Sequence, residues 1–279
     1  MKLSTTLRYR AAIVACSSTL VAGAFLATGP SANAAAANPY HLITPGTLTV
    51  GMDLQFKPEM YTTTGGKPAG YDVQLVKLLA TKMKVKLNIV NLAFTGLIPG
   101  LQAKKYDLVS VGLTPTALRK KAVSFSRSYV PYELVLAAGK KSTIAPTIAA
   151  WNTAGVTITS LQGSTDESLV KSDFPKATSD TFPDDTTALL QVSTGRANGA
   201  VVEDYILGQF NKANGNVLKT VKFSKPLSIA YGSYAVQKGN TALVSYLNKF
   251  ICGVQTSGKM AKVYESTEGA SSLPKMPAC

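Results

Sequence analysis

The segment Tyr106-Asp-Leu-Val-Ser-Val-Gly-Leu-Thr-Pro-Thr-Ala-Leu-Arg119 runs from an apolar stretch, Tyr106 to Val111, that reads as a buried strand, into a Gly/Thr/Pro turn and a helix start. A strand that ends this way gathers backbone N–H groups near Gly112, two hydroxyls that include Thr114, and the guanidinium of Arg119 around one point. That set suits a carboxylate, because a guanidinium fork matches two carboxylate oxygens. The reading with chemical content is a receptor for a small acid or amino acid. The bland reading of the same residues is a surface arginine closing a loop.

Outward from this segment, short apolar strands alternate with amphipathic helical patterns, which indicates α/β units. Leu48 to Val50, Leu87 to Val90 and Asp107 to Val111 read as strands of one sheet. Tyr71 to Met83 places Val73, Val76, Leu79, Ala80 and Met83 on one helical face, with Asp72 suited to capping its start. Phe94 to Gln102 opens a second helix, whose Pro99 lies early enough to be tolerated. From Gly139 the composition turns loop-like and a second α/β series begins. Val156 to Thr159 and Gly199 to Val202 read as its strands, and Ser164 to Lys171, Thr186 to Thr194 and Glu203 to Asn211 as its helices. Ser164 or Thr165 suits the first helix start, and Asp184 and Asp185 read as caps of the second. Ser228 to Ala235 is apolar and extended, and Thr241 to Val254 is helical with Leu243, Leu247, Phe250 and Ile251 inward.

The first 34 residues read as a signal peptide: Lys2, Arg8 and Arg10 precede an Ala-rich apolar stretch and an Ala32-Asn33-Ala34 cleavage signature. Ile13-Val14-Ala15-Cys16 also resembles a lipoprotein cleavage box, but few apolar residues precede it, and a secreted, unlipidated product is the favoured reading. The 245 residues that remain of 279 suffice for two medium domains, preceded by a flexible leader over 35–43. Without the three leader cations, 26 Lys and Arg face 15 Asp and Glu, a mature net charge of about +11. The lysines are scattered and accompany no nucleic-acid motif or aromatic platform, so the reading is a solvated basic surface with no nucleic-acid partner. Cys252 and Cys279 are the two mature cysteines, an even number in an oxidising compartment, and are expected to pair.

From Leu48 to Leu136 the chain resembles the first lobe of bacterial extracellular solute-binding proteins of the polar amino acid type, known as family 3. The resemblance rests on Leu48-Thr-Val-Gly-Met-Asp53 with Phe56 and Pro58, Gly70-Tyr-Asp-Val-Gln-Leu75, Phe94-Thr-Gly-Leu-Ile-Pro-Gly-Leu101, Thr114 to Arg119 and Val123-Ser-Phe-Ser126 with Tyr132. It continues through Gln162-Gly-Ser-Thr165 and Asn198-Gly-Ala-Val-Val-Glu203. It implies a two-lobed fold of the periplasmic-binding-protein type II kind, both lobes α/β and joined by a two-strand hinge. Lobe 1 is then discontinuous, 44–136 plus 230–279, and lobe 2 spans 137–229, with the ligand cleft between them. The implied function is binding of an amino acid or similar small zwitterion outside the cytoplasm, in the periplasm or on the outer face of the membrane. Delivery to the permease of an ABC importer follows, by a monomeric protein with no cofactor.

Under this resemblance Arg119 meets the ligand carboxylate, helped by Thr114, the backbone near Gly112, Ser164 and Thr165. Glu203 meets the ammonium; the family commonly has an aspartate there, so the adjacent Asp204 remains a candidate. Phe56 and Phe94 match positions that flank the ligand side chain, and Asp53 sits at the same mouth, suited either to a polar or cationic side chain or to bonding its own turn. Glu59 stands where an aromatic is usual, which puts the path of that loop in question. Cyclohexadienyl dehydratases, which act on prephenate or arogenate, resemble the same proteins, and there Glu203 would serve as a general acid. Against an enzyme, the single histidine, His41, lies in the expected leader, and metal-ligand spacings and phosphate loops are absent from the sequence. Trp151 reads as a surface or hinge-side packing residue.

Overall fold

The computed structural model describes residues 38–268 and 273–279. The expected signal peptide, with Cys16 and the cleavage signature, lies outside them. In chain order the first half carries strands β1 (Thr47–Met52), β2 (Gln55–Phe56), β3 (Met60–Thr62) and β4 (Pro68–Ala69), helix α1 (Tyr71–Met83), β5 (Lys86–Asn91), a 3-10 turn (Phe94–Gly96), α2 (Leu97–Gln102), β6 (Leu108–Leu113) and α3 (Ala117–Ala122). There follow β7 (Val123–Gly139), α4 (Ile148–Trp151), β8 (Thr157–Leu161), α5 (Thr165–Asp173), β9 (Thr178–Phe182), α6 (Asp185–Ser193), β10 (Gly199–Glu203), α7 (Asp204–Ala213), β11 (Leu218–Thr220), β12 (Ser228–Gln237), α8 (Thr241–Thr256) and α9 (Lys259–Glu268).

Nine of these strands form two α/β lobes on one continuous sheet, ordered β5-β1-β6-β12-β7-β10-β8-β9, with β11 also on β7, and β2, β3 and β4 make a separate small sheet. Within each lobe the consecutive strands are parallel: β5, β1 and β6 in the first, β10, β8 and β9 in the second. β7 joins the two. Its first part pairs antiparallel with β12 from Val123 opposite Gln237 to Leu134 opposite Ser228, and its last part pairs with β10 and β11. β6 is buried along its whole length, as a strand covered on both faces by apolar side chains must be. One apolar cluster fills the first lobe and extends onto one face of the second, through Leu189, Val202 and Phe210. Another fills the opposite face of the second lobe around Trp151, Ile158 and Phe174.

Four expectations change at this level. Trp151 is fully buried in the second cluster, because Gly199 leaves room for its ring against β10. Asp72 does not cap α1: it is completely buried and accepts hydrogen bonds from Ser110 Oγ (2.8 Å) and Tyr129 Oη (2.6 Å), while Gly70 occupies the cap position. Residues 38–43 are not a loose leader. Leu42 is buried, the Ile43 N–H donates to Asp107 Oδ1 (2.6 Å), Asn240 Nδ2 donates to the Tyr40 carbonyl (3.0 Å), and the Tyr40 ring lies 4.6 Å from that of Tyr246. Asp184 caps α6 by accepting from the Thr187 N–H (2.7 Å), but Asp185 does not act as a cap, and its carboxylate is buried. The disulfide expectation holds: Cys252 on α8 is bonded to Cys279, with Cα atoms 5.6 Å apart.

A candidate ligand cleft between the lobes

β6 delivers the opening segment to the gap between the lobes. Gly112 adopts φ +58°, in the left-handed region that favours glycine, and a β-carbon there would collide with the Tyr132 hydroxyl. The chain then turns at Pro115, and the Thr116 hydroxyl caps the short helix α3 by accepting from the Arg119 N–H (3.2 Å). This pins Arg119, a residue 9% exposed whose guanidinium sits 5.6 Å from the Phe94 ring. Nη1 donates to the Thr114 carbonyl (3.0 Å), and Nη2 crosses the gap to the Gly163 carbonyl in the second lobe (3.1 Å). A guanidinium has five N–H donors, so these two bonds leave three for a ligand.

A small cavity of about 30 Å³ lies between the lobes, lined by Phe56, Phe94, Gly112, Thr114 and Arg119 on one side and Ser164, Thr165 and Glu203 on the other. Eight residues singled out in the sequence thus meet at one place. Phe56 and Phe94 contact edge to face, with ring centroids 6.4 Å apart. Glu59 does not displace this loop: it is buried, its carbonyl accepts from the Asp72 N–H (2.9 Å), and Phe56 still reaches the cavity. Ser164 Oγ accepts from the N–H groups of Asp166 (3.0 Å) and Glu167 (3.1 Å), ordering the start of α5. The Gly112 N–H, in contrast, donates to Tyr129 Oη (2.9 Å), so this residue shapes the wall without offering a donor.

Glu203 ends β10 at the carboxyl edge of the sheet, the usual ligand edge of an open α/β fold. Burial pushes its carboxyl up to about 7; Asp204 adds to the rise and Arg119 opposes it. Asp204 is exposed, bonds the Tyr205 N–H (2.8 Å) and does not line the cavity, so of the two acids Glu203 is the one in the cleft. Burial lowers Arg119 to about 10, opposed by Asp166 and Glu203, which leaves it cationic at neutral pH. Asp53 stands apart from the small cavity. Its carboxylate accepts from Gln55 Nε2 (2.6 Å) and from the Phe94 backbone, and burial raises it to about 6.

Four residues at the cleft carry no site assignment from the sequence. Tyr132 and Tyr205 line the cavity, with ring centroids 5.7 Å apart. Tyr132 escapes because β7 is not legible as a single strand running past the gap. Asp166 and Asp185 are 1% and 3% exposed, and both are pushed well above the usual carboxylate range by burial, then by Glu203 and by further acids. Their position in a first helical turn looks like ordinary dipole compensation in a sequence. Among the described residues no cluster of side chains suited to a metal ion occurs, and no helix is long and apolar enough to cross a membrane.

Comparison with known proteins agrees with the two-lobed fold. The ABC transporter arginine-binding protein 1 of Escherichia coli K12 is 27% identical over 218 residues, covering 77% of this chain and 88% of the relative. Among solved structures, the ancestral amino acid-binding protein AncCDT-1, a precursor of cyclohexadienyl dehydratase, superposes with a TM-score of 0.73 at 30% identity, covering 80% of this chain and 95% of that one. An ancestral arginine-binding protein bound to arginine gives 0.72 at 30% identity, over 80% and 98% of the two chains. The sequence profile of the bacterial extracellular solute-binding proteins, family 3, matches residues 48–267, and this chain belongs to that family.

Proposed function

We propose that this protein binds an amino acid outside the cytoplasm and hands it to the permease of an ABC importer. Arg119 holds the ligand carboxylate, with Thr114, Ser164 and Thr165 supplying further hydrogen bonds. Glu203 faces the ammonium, and Phe56 and Phe94 wall the side chain. The observation that carries the reading is that Arg119 and Glu203, borne by opposite lobes, line one small gap. A zwitterion buried there meets a matched cation and a matched anion, which offsets the desolvation of both its charges. Relatives named for arginine binding favour a cationic side chain. The same proposal includes export by the segment 1–34, action as a monomer, and lobes of 44–136 plus 230–279 and of 137–229 closing about the strand pair between them.

A thermal-shift screen against the standard amino acids tests it, because a ligand at 100 times its dissociation constant adds about 2.7 kcal/mol of stability. Calorimetry on Arg119→Ala then tests the assignment of the carboxylate partner. Loss of the charge partner of a buried carboxylate costs about 2–5 kcal/mol, so binding falls by a factor of about 30 or more. Affinity close to that of the unmodified protein sinks the assignment.

One observation favours a second reading. A carboxyl raised to about 7, as Glu203 is, is poised for proton donation at neutral pH, as a dehydratase of the same fold requires. Incubation with prephenate or arogenate separates the two: release of an aromatic product establishes the enzyme, and its absence alongside a thermal shift with amino acids establishes the binding protein.

A further inference from the structure

Beyond Phe56 the gap between the lobes widens into a second cavity of about 660 Å³, walled by Gln55 and Phe56 from the first lobe, Asp185 and Gln209 from the second, and Glu268 at the end of α9. Phe56 lines both spaces. A cavity of about 30 Å³ has no room for a long side chain. The charged head of a ligand belongs beside Arg119 and Glu203, and a side chain that passes the Phe56 ring enters the larger space.

There it meets Asp185. The residue is 3% exposed, and neither of its carboxylate oxygens has a hydrogen-bond partner among the described residues. Its charged neighbours include Glu203, Asp184, Asp53 and Asp166, all acidic. Lys57 and Lys212 also line the large cavity, but both are exposed, and Lys57 lies over the Tyr61 ring at 5.1 Å. A buried carboxylate with no donor is costly unless a cation reaches it. Asp53 has no such demand, since Gln55 and the Phe94 backbone already bond it.

We infer that the space beyond Phe56 is the side-chain subsite and that Asp185 is the specificity residue, receiving the distal guanidinium or ammonium of a long cationic amino acid. The inference rests on the amino-acid reading above and deepens it: it assigns the distal cation to Asp185 instead of Asp53. Because the subsite is roomy and opens to solvent, it also admits substituents on the distal nitrogen.

Calorimetry with L-arginine, its neutral isostere L-citrulline and Nω-methyl-L-arginine tests this. The unmodified protein is expected to prefer arginine over citrulline by more than tenfold, and to bind Nω-methyl-L-arginine within tenfold of arginine. In Asp185→Asn the arginine preference falls below tenfold while citrulline affinity is kept. In Asp53→Asn the preference stays above tenfold. A preference retained in Asp185→Asn, or lost in Asp53→Asn alone, overturns the assignment, as does a more than tenfold penalty for the methyl group. The last measurement needs no variant and can overturn the assignment even if Asp185→Asn misfolds. If the unmodified protein binds another amino acid with no preference for a distal cation, this inference fails and the amino-acid reading stands. If it binds no amino acid at all, that reading fails as well.

Discussion

Glu203 shows at the scale of one residue how the cleft couples ligand to proton. Its carboxyl, ordinarily near 4.5, is raised to about 7 chiefly by burial. In the ligand-free fold it therefore keeps a proton that the unfolded chain releases. The sign follows: the stability this group contributes is complete below about 4.5 and is lost as pH rises through about 7. A ligand ammonium favours the carboxylate, so binding expels the proton. Affinity is expected to weaken about tenfold from pH 8 to pH 6, the ratio of ionised carboxyl at those two values. Asp166 and Asp185 shift the same way, chiefly through burial. Titration calorimetry across that range checks the slope, and Glu203→Gln flattens it in part; a profile independent of pH in the unmodified protein argues that Glu203 does not face the ammonium. Gly112 makes a complementary case for shape. With φ +58° and Tyr132 against it, Gly112→Ala strains the backbone and displaces the ring, at about 2 kcal/mol or more of stability on denaturation.

At the scale of elements, the start of α5 carries both order and function. Ser164 satisfies two N–H groups of the first turn, so Ser164→Ala is expected to lower stability by about 1 kcal/mol. If Ser164 also donates its hydroxyl proton to the ligand, affinity falls further than a melted cap explains, and Ser164→Asp restores stability without restoring affinity. The helices and strands that position this site were legible in the sequence, because strong periodicity and local capping chemistry specify them. α1 runs over the residues its apolar spacing marked, and the turn from β6 into α3 places Arg119 where the motif implied. What escaped lacks a local signal. β2, β3 and β4 are two or three residues long and exist only by pairing with one another. β7 has Ser126, Arg127, Ser128 and Pro131 along its length and holds together through long-range partners on both edges. Asp185 looked like a cap because a first-turn acid is common; its burial where α6 packs on β7, β8, β9 and β10 has no local signal in the sequence.

At the scale of the whole molecule, the lobes are joined through paired strands and by the bond from Arg119 to the Gly163 carbonyl, and these lie at the cleft, whereas the chain's covalent staple lies elsewhere. The bridge from Cys252 ties the last residues to α8, where Arg127 Nη2 donates to the Ala278 carbonyl (2.5 Å) and Gln255 Nε2 to that of Pro277 (3.1 Å). None of these residues lines either cavity of the cleft. The staple closes a loop spanning 27 positions, for which loop entropy gives about 3.5 kcal/mol. Replacing both cysteines by serine is therefore expected to lower unfolding free energy in denaturant by about that amount while leaving ligand affinity within about twofold, since fold stability and lobe closure draw on separate contacts. A matching fall in affinity at a temperature where the variant is still folded would mean that the tail bears on closure through α8 and β7, whose first residues pair with β12 along the strand pair that joins the lobes.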